Sequence, residues 1–524
     1  MVARADSTSQ ANSDAICIGD GSLGMEQLKA VVFARARVKL SESRAFEQRL
    51  ARSRAALDRA MEQGQAVYGV TTGYGESCGN RVDQEQSLRL GQNLIRYHGC
   101  GVGQPLEEIE ARAATLCRLM GLSLGYSGVS RGLLQALVDL LNHGIAPVIP
   151  CQGSVGASGD LTPLSYLAAC LAGEREAFHR GERKPSAEAL AAEGLVAYRF
   201  GPKEPLAMIN GTSVMTGIAI VAVTRARRLL QAATRASALT VHGLSGHAHH
   251  FDPAIFEAKP HPGQALVAGH LRDLLHGPSP APECADPDWL QDPYSVRCAP
   301  HVLGVLADGL EWIERWVVIE ANSANDNPLL DPDSQRVLMG GNFFGGHVAF
   351  AMDGLKVALA SVADLLDRQM ALLVDERFSR GLPADLVTAA DPALHHGFKG
   401  LQITASALTA EALKETMPAA AFSRSTESHN QDKVSLGTIA ARDAQKVARL
   451  VAGVVGVHLL AATQAAEIRG QLETRPALAA CVRAVRRVSE RLESDRPTDV
   501  DVERMIEAIL EGSLFGQDDG ALDA

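Results

Sequence analysis

The amino-acid sequence predicts a mainly all-α protein: a core bundle of long helices with a smaller N-terminal domain. Three long, alanine-rich stretches predict the bundle, and they cover residues 212–236, 346–376 and 435–468. Apolar residues recur in them at helical spacing, and helices of this length bury their apolar faces by packing side by side. The composition agrees, because 46% of the residues are hydrophobic but only 4% are aromatic. Ala, Leu and Val must therefore fill the core, which favours closely packed helices.

The chain is expected to divide into four parts. Its 524 residues leave room for several domains of roughly 150 residues each. The polar start predicts a disordered tail over residues 1–18, and its first fourteen residues lack the apolar stretch of a secretory signal. An N-terminal domain over 19–211, carrying an Ala-Ser-Gly loop, is followed by the long-helix bundle with its C-terminal helices over 212–515. A second tail covers 516–524, and five prolines between 276 and 293 predict a surface loop.

Shorter elements are predicted from local patterns. Leucines at helical spacing between 133 and 141 predict a helix that ends near Gly144. The best strand signals are 66–70 and 145–149, and Pro147 limits the second of these to the edge of a sheet. The strands are thus expected to be few and short.

The charge balance excludes several classes of partner. Fifty Lys and Arg residues stand against 61 Asp and Glu residues, and the basic residues form no long run. Nucleic acid and anionic membrane surfaces are therefore not expected partners. The most apolar stretch, 450–468, is interrupted by His458, Gln464 and Glu467, which predicts a buried helix and not a membrane span.

The nine cysteines are odd in number, widely spaced and free of any Cys-x-x-Cys pair. This pattern argues against a disulfide framework and against a thiolate zinc site. It fits a reducing compartment, and we expect a cytoplasmic protein.

Three possible motifs are set aside. Residues 121–125, Gly-Leu-Ser-Leu-Gly, match the nucleophile elbow of serine hydrolases, but no strand precedes them and a helix end is predicted instead. A histidine-rich stretch over 242–270 contains His247, His249 and Asp252, yet their spacing fixes no coordination geometry, so no metal site is expected. A lone Gly-x-Gly and the absence of a Gly-Lys pair give no support for nucleotide binding.

The strongest local signal is Gly-Ser-Val-Gly-Ala-Ser-Gly-Asp-Leu-Thr-Pro-Leu-Ser-Tyr-Leu-Ala over 153–168. It places small residues and a glycine-rich turn directly before a helix. A structural interpretation is a flexible turn in which Asp160 or Thr162 caps that helix.

The triplet Ala157, Ser158 and Gly159 also allows a specific reaction. If strain presses the Gly159 nitrogen onto the Ala157 carbonyl carbon, the backbone can cyclise. Loss of water, including the Ser158 hydroxyl, then leaves a methylidene-imidazolone, which is an electrophile made entirely from protein. Small residues on either side leave ring closure unobstructed.

Several segments together resemble the aromatic amino acid ammonia-lyases and aminomutases, a family that includes histidine, phenylalanine and tyrosine ammonia-lyases. The resemblance covers about residues 20–515. It rests on these motifs, in the order of the family: YGVTTGYG at 68, NLIRYHGCGVG at 93, GASGDLTPLS at 156, MINGTSVMTG at 208, PHPGQ at 260, QDPYSVRCAP at 291, NSANDNPL at 322, GGNFFGG at 340 and HNQDKVSLGTIAAR at 429. The Gly-Ser-Ser loop of the larger fumarase and argininosuccinate-lyase superfamily is missing, which indicates the branch that carries the imidazolone.

The resemblance implies a helical homotetramer whose active sites take residues from three chains. It also implies a methylidene-imidazolone formed autocatalytically from Ala157, Ser158 and Gly159, with no external cofactor and no metal. The implied ligand is a small aromatic amino acid.

Elimination of ammonia requires a base as well as an electrophile, because a weakly acidic β-proton must leave together with a poor leaving group. Tyr68 resembles the family's base. A phenol has a pKa of about 10, so we expect helix N-termini and backbone amides around the glycine-rich loop to favour its ionised form.

The resemblance implies further pocket residues: Asn210, Gln291, Tyr294, Arg297, Phe343, Glu427, Asn430 and Gln431. The Arg297 guanidinium would hold the substrate carboxylate bidentately. Tyr294 and Asn210 would assist at the electrophile and the amine, and Gln291 would line the same pocket. Phe343 would pack on the imidazolone, while Glu427, Asn430 and Gln431 would receive the amino group.

Tyr97 and His98 occupy the two positions that govern the substrate ring in this family. A histidine at the second position can pair with a phenol or an imidazole, whereas a plain phenyl ring would leave it unpaired. The sequence Asn-Gln-Asp-Lys at 430 departs from the Asn-Gln-Glu-Asp of histidine enzymes, and Phe344 replaces a family histidine. We therefore rank tyrosine first as substrate, histidine second and phenylalanine third.

The predicted activity is the conversion of L-tyrosine to 4-coumarate by a carbon–nitrogen lyase. Within the class, the alternatives are a histidine ammonia-lyase that forms urocanate and an aromatic 2,3-aminomutase. Outside it, the alternatives are a non-catalytic helical scaffold and a histidine-rich metal-binding protein.

Overall fold

The computed structural model describes residues 15–276 and 290–515. Its helices are α1 (Met25–Val32), α2 (Arg44–Glu62), α3 (Gln84–Tyr97), α4 (Glu108–Ser123), α5 (Arg131–Asn142), α6 (Leu161–Leu171), α7 (Ser186–Ala192), α8 (Glu204–Ile209), α9 (Ser213–Gly243), α10 (Pro253–Glu257), α11 (Pro262–His276), α12 (Tyr294–Arg297), α13 (Ala299–Ala321), α14 (Gly346–Val374), α15 (Lys399–Lys414), α16 (Gly437–Arg469), α17 (Pro476–Val488) and α18 (Asp499–Glu511). The mainly all-α prediction is confirmed.

The three long helices predicted from alanine-rich stretches are all present as α9, α14 and α16. The helix predicted to close near Gly144 is α5, and Gly144 adopts a positive φ of 65° just after it. The segment that matched a nucleophile elbow is the end of α4, as predicted.

The strands are short, and they are β1 (Ile16–Ile18), β2 (Val38–Leu40), β3 (Val102–Pro105), β4 (Ile145–Pro147), β5 (Pro150–Gln152), β6 (Glu176–His179), β7 (Glu182–Pro185), β8 (Leu329–Leu330) and β9 (Val337–Leu338). β1 pairs in parallel with β2, whereas β3 with β5 and β8 with β9 are antiparallel. The third sheet has the order β4-β6-β7, in which Ile145 pairs with His179 and β4 lies at the edge. This is the position that Pro147 predicts.

The strand predicted over 66–70 is wrong. These residues form a turn in which the Val67 carbonyl oxygen accepts hydrogen bonds from the Val70 and Thr71 amides. Gly69 has a φ of +68°, and a Cβ there would lie 2.5 Å from the Tyr74 ring. A left-handed residue cannot continue a strand, so the local geometry overrides the apolar pattern.

The described chain groups into two compact units. The first comprises the described residues up to Val221, together with Glu314–Met352 and Pro418–Arg442. The second comprises the described residues of Ala222–Ile313, then Asp353–Met417 and those from Asp443 onward. The division at residue 211 stays a prediction. Residues 1–14 and 516–524 of the predicted tails, and 277–289 of the predicted loop, lie outside the described residues, whereas residues 16–18 form β1.

Small residues allow the helices to approach closely, as the composition predicts. In the first unit, a Cβ on Gly217 of α9 would lie 2.5 Å from the Ala114 backbone nitrogen of α4. α16 is long and apolar enough to cross a membrane, but 89% of its most apolar window is buried inside the protein. The stretch 450–468 is therefore a buried helix, as predicted.

Candidate active site

The Ala157-Ser158-Gly159 triplet lies in the connection between β5 and α6. Gly159 has a φ of +70°, and a Cβ there would come within 2.1 Å of the Gly211 carbonyl oxygen. Gly211 in turn accepts a hydrogen bond of 2.7 Å from the Asp160 amide. Only glycine fits this position, because both the φ and the contact exclude a side chain.

The residues just before the triplet are fixed by the start of α16. The Leu436 amide donates to the Val155 carbonyl oxygen, and the Ser435 amide donates to the carbonyl oxygen of Gly156. The Ser435 hydroxyl donates a second bond of 3.1 Å to the same Gly156 oxygen. The loop is therefore anchored by backbone bonds to a segment about 280 residues away.

Asp160 follows the triplet and is fully buried. The expectation that its side chain caps α6 is wrong, because its Oδ2 accepts the Val214 and Met215 amides at the start of α9, at 3.0 and 2.8 Å. Its Oδ1 accepts from the hydroxyls of Ser154 and Thr438. Burial raises the pKa of the carboxyl to about 6, although these hydrogen bonds favour the ionised form.

The Ser158 carbonyl oxygen accepts two hydrogen bonds. The Asn210 side-chain amide donates one of 2.9 Å, and the Gly211 backbone amide donates one of 3.2 Å. Asn210 is buried, and Arg118 donates to its backbone carbonyl oxygen. Two aligned donors of this kind stabilise negative charge on the oxygen that receives them.

Two side-chain atoms near Ser158 are available for hydrogen bonds during a reaction: one is a donor and the other is an acceptor. The Gln431 amide nitrogen lies 3.3 Å from the Ser158 hydroxyl oxygen and can donate to it. The Asn210 Oδ1 atom is buried and has no partner among the described residues. A buried acceptor without a donor costs free energy, so it is suited to a donor that arrives with a ligand.

Tyr68 is half-buried, and its phenol oxygen accepts a 2.7 Å hydrogen bond from the Gly75 amide. The Gly75 amide is therefore one of the backbone amides that were expected to favour the phenolate. The net effect has the opposite sign, because burial raises the pKa of Tyr68 and the nearby Glu427 carboxylate raises it further. Within one chain, the surroundings therefore favour the neutral phenol at physiological pH.

The Glu427 carboxylate lies against the loop that follows Tyr68. Its Oε1 accepts a 2.9 Å bond from the Glu76 amide, and a Cβ at Gly75 would lie 2.1 Å from the same oxygen. Glu427, Ser428 and His429 all have positive φ values, between 52° and 65°. Non-glycine residues rarely adopt this conformation, and strain of this kind is often found at functional sites.

Tyr97 and His98 end α3, with ring centroids 4.4 Å apart. The His98 Nδ1 atom lies 3.1 Å from the Leu94 carbonyl oxygen. A carbonyl oxygen can only accept, so Nδ1 carries the proton and Nε2 of the neutral ring is an acceptor. Burial lowers the pKa of His98, which favours this neutral form. Burial, and to a lesser extent the charges of Tyr68 and Glu427, raise the pKa of Tyr97 to about 12.

The remaining predicted residues are placed as follows. Phe343 is half-buried in the turn before α14, and Asn430 is exposed on the Glu427 loop, where its amide donates to the Glu427 carbonyl oxygen. Gln291, Tyr294 and Arg297 belong to the second unit. There the Arg297 guanidinium carbon lies 4.7 Å from the Tyr294 ring centroid.

Comparison with known proteins matches residues 23–487 to the family model described as "Aromatic amino acid lyase". The chain belongs to the aromatic amino acid lyase family. It is 39% identical over 503 residues to a histidine ammonia-lyase of Gloeobacter violaceus, covering 96% of this chain and 97% of the relative. It is 38% identical to a tyrosine ammonia-lyase of Cereibacter sphaeroides, covering 94% and 97%. A solved tyrosine aminomutase from Streptomyces globisporus superimposes with a TM-score of 0.89 at 35% identity, covering 95% and 97%.

The family resemblance and the prediction of a carbon–nitrogen lyase are thereby confirmed. The relatives are named as histidine or tyrosine enzymes and as lyases or aminomutases. Their names therefore identify neither the amino acid substrate of this chain nor whether the reaction ends in elimination or in migration of the amino group. They do agree on an enzyme that acts on an aromatic amino acid.

In this aromatic amino acid lyase, the histidine-rich stretch forms a hydrogen-bonded cluster around Asp292. His247 Nδ1 and His250 Nε2 lie 3.3 and 3.5 Å from Asp292 Oδ2, a grouping that could hold a metal. Asp252, which stands near these histidines in the sequence, instead accepts from the Ala254 amide at the start of α10. Most of the ligand atoms around Asp292 are engaged: its oxygens accept from Arg380 and the His247 amide, and His250 Nε2 accepts from the Asp292 amide, whereas the buried His247 Nδ1 has no hydrogen-bond partner among the described residues.

Sequence reasoning missed several residues that build the lyase site. Gly211 and Arg118 support the Ser158 carbonyl and Asn210, and Gly75 supplies the amide at Tyr68. Gly75 and Gly211 stand within the motifs quoted for the resemblance, which was the available signal. Arg118 lies in an ordinary helical pattern, and only its complete burial identifies it.

Proposed function

We propose that this lyase eliminates ammonia from an aromatic L-amino acid, with L-tyrosine as the first candidate and 4-coumarate as product. The observation that carries the proposal is the arrangement around Ser158. Its carbonyl oxygen has two N–H donors, its hydroxyl contacts Gln431, and the next residue has no room for a side chain.

These contacts suit the formation of a methylidene-imidazolone. A bond from the Gly159 nitrogen to the Ala157 carbonyl carbon closes the ring. Two water molecules then leave: one carries the former Ala157 carbonyl oxygen, and the other carries the Ser158 hydroxyl with its α-proton, which leaves the exocyclic methylene. Gln431 can donate to the departing hydroxyl from 3.3 Å. The group supplies an electrophile for catalysis, and no external cofactor is required. Asn210 and Gly211 then stabilise negative charge on the Ser158 oxygen.

Tyr68 is the proposed base for the β-proton. The Gly75 amide stabilises its phenolate, while the Glu427 carboxylate opposes ionisation. A raised pKa makes the phenolate scarce at neutral pH, but it also makes that phenolate a stronger base.

Recognition of the amino acid backbone is assigned to charged groups. The Arg297 fork binds the substrate carboxylate, and Glu427 accepts from the amino group with Asn430 and Gln431. Tyr294 and Asn210 assist at the amine, and the unpartnered Asn210 Oδ1 supports this role. Gln291 lines the pocket and Phe343 packs on the imidazolone.

His98 carries the preference for tyrosine. Its Nδ1 donates to Leu94, so the Nε2 acceptor is left for a donor on the substrate ring, such as the tyrosine hydroxyl. An imidazole N–H is also a donor, which keeps histidine and urocanate as the second candidate, and several relatives are named histidine ammonia-lyase. A phenyl ring offers no donor. The aminomutase alternative rests on the likeness to tyrosine aminomutase.

The proposed assembly is a cytoplasmic homotetramer whose sites combine residues from several chains. None of the eight cysteines among the described residues forms a disulfide, which suits a reducing compartment. Mixed refolding of Tyr68→Phe and Arg297→Ala chains tests the shared site. Restored activity in the mixture supports it, and a mixture as inactive as each parent contradicts it.

The test of function is the ultraviolet spectrum of the product formed from L-tyrosine, L-histidine or L-phenylalanine separately, with β-amino acids resolved by chromatography. A coumarate band with tyrosine supports the proposal, and Ser158→Ala should abolish it while the fold stays intact. A urocanate band alone would assign histidine as the substrate. Absence of product from all three would favour the non-catalytic scaffold.

A further inference from the structure

The second unit contains a cavity of about 510 Å³ at the ends of α9, α11 and α16. The described residues that line it are Val241, His242, Ser245, Gly246, His247, Ala248, Leu275, His276, Arg469, Gln471 and Arg475. None of these described residues carries a carboxylate, whereas two are arginines and three are histidines. The cavity wall is therefore positively charged, and none of its residues has a role in the proposed elimination.

Arg469 is held rigidly by backbone carbonyl groups. Its Nε donates to Gly243 at 2.8 Å, and its Nη2 donates to Ser379 and Arg380 at 2.9 and 3.0 Å. Its Nη1 has no hydrogen-bond partner among the described residues. The guanidinium thus has a fixed position and unused donors, which is a preorganised arrangement for an anion.

Arg475 is held by a neutral partner. Its Nη1 donates to the Nδ1 atom of His242, since an arginine can only donate. His242 Nε2 must then carry the ring proton, which it donates to the Gly470 carbonyl oxygen at 2.9 Å. The described part of the chain gives Arg475 no carboxylate partner, and its Nε and Nη2 donors are unused. The edge of the Arg475 guanidinium that carries Nε and Nη2 can therefore donate to a ligand.

The groups around the cavity repel added positive charge. Burial and the neighbouring Arg475 and Arg469 lower the pKa of His242 to about 4, so that ring stays neutral. Burial and Arg475 also lower the pKa of His276. Asp292, which lies behind Gly246 and His247, pairs with Arg380, so no carboxylate among the described residues pairs with Arg469 or Arg475. Their two guanidinium charges thus stand in a concave, partly desolvated place, where an anion is attracted more strongly than at a flat surface.

We propose that this cavity binds a small phosphate-type oxyanion between Arg469 and Arg475. Planar guanidinium forks match the paired oxygens of a phosphate group and bind them bidentately. The volume exceeds that of one phosphate, so a phosphate monoester also fits. The ligand is therefore inorganic phosphate or the phosphate group of a small ester.

Isothermal titration calorimetry of the full-length protein with inorganic phosphate tests the proposal, at constant ionic strength maintained with chloride. A parallel titration with glycerol 3-phosphate distinguishes the free ion from the ester by relative affinity. We expect saturable binding with one site per chain. Arg475→Gln should weaken it at least tenfold, whereas Arg487→Gln, which removes an exposed arginine from α17 by the same substitution, should leave it unchanged.

A second variant approaches the cavity from its other wall. Ser245→Glu places a carboxylate beside the arginines and should abolish phosphate binding without removing any cation, so it remains informative if Arg475→Gln fails to fold. Neither anion giving saturable heat would overturn the proposal. Equal affinities in the wild type, Arg475→Gln and Ser245→Glu would overturn it as well, since binding would then lie elsewhere.

Discussion

Gly159 approaches Gly211 so closely that a Cβ on the first would lie 2.1 Å from the carbonyl oxygen of the second. The Gly211 amide also donates a hydrogen bond to the Ser158 carbonyl oxygen. Gly211 therefore both packs against Gly159 and polarises the Ser158 carbonyl group.

Gly159→Ala is expected to lower turnover by more than 100-fold, because the methyl group must displace the Gly211 backbone and with it the donor at Ser158. The measurement is kcat/KM together with the near-ultraviolet spectrum of the purified variant. Gly194→Ala is the matched control. Gly194 is exposed with a φ of +69° and has nothing within 4 Å of a Cβ, so it bears the left-handed strain of about 1 kcal/mol without the clash. Equal activity in both variants would show that the close approach is unimportant.

Asp160 predicts a dependence of stability on pH. Its folded pKa of about 6 lies above the ordinary aspartate value of 3.8, so between these values the folded state binds more protons than the unfolded state. Protonation therefore favours folding, and this contribution is lost as pH rises through 6. From pH 7.5 to 4.5 the free energy of unfolding should increase by about 2 kcal/mol relative to Asp160→Asn, whose amide keeps the shape without titrating.

Urea unfolding of both proteins at a series of pH values measures this difference. The comparison between the variants removes the contribution of other titrating groups. Parallel pH profiles would mean that Asp160 does not titrate in this range.

The sequence predicted those parts of the molecule that depend on local pattern. Apolar spacing gave α9, α14 and α16 because the buried face of a helix repeats every three to four residues. Pro147 gave an edge strand because it has no amide to donate. Residue types marked the Ala157-Ser158-Gly159 triplet as a candidate, whereas Tyr68 was marked by the family resemblance.

Long-range partners could not be predicted in this way. Asp160 stands where a helix cap is expected, yet its carboxylate accepts amides from Val214 and Met215, more than 50 residues later. The sign of the Tyr68 pKa shift depends on burial and on Glu427, which is 359 residues away in sequence. Apolar residues 66–70 resemble a strand, but Gly69 turns the chain. In each instance, tertiary contacts decide the outcome.

Tyr68 predicts the shape of the pH–rate profile. Its pKa is raised above 10, so only a small fraction is phenolate near neutrality and that fraction grows tenfold with each pH unit. We expect log kcat/KM to rise with a slope near one between pH 7 and 9. Tyr68→Phe should lose about 100- to 10,000-fold in kcat and the slope with it.

Tyr74→Phe serves as the control for that variant, because the Tyr74 ring packs edge-on against Tyr68 at 6.3 Å between centroids. It should retain activity within a few-fold and keep the slope. A flat profile in the wild type would argue against a phenol as the base.

His98 predicts the choice between tyrosine and phenylalanine. Its Nε2 is an acceptor because Nδ1 donates to the Leu94 carbonyl oxygen, and burial keeps the ring neutral by lowering its pKa. Phenylalanine leaves this acceptor unpaired, which costs about 1–3 kcal/mol. His98→Phe should therefore reduce the tyrosine-to-phenylalanine ratio of kcat/KM by about 5- to 150-fold. His98→Gln, which keeps an acceptor, should preserve most of the ratio. If both variants change the ratio equally, volume and not hydrogen bonding at residue 98 determines the selectivity.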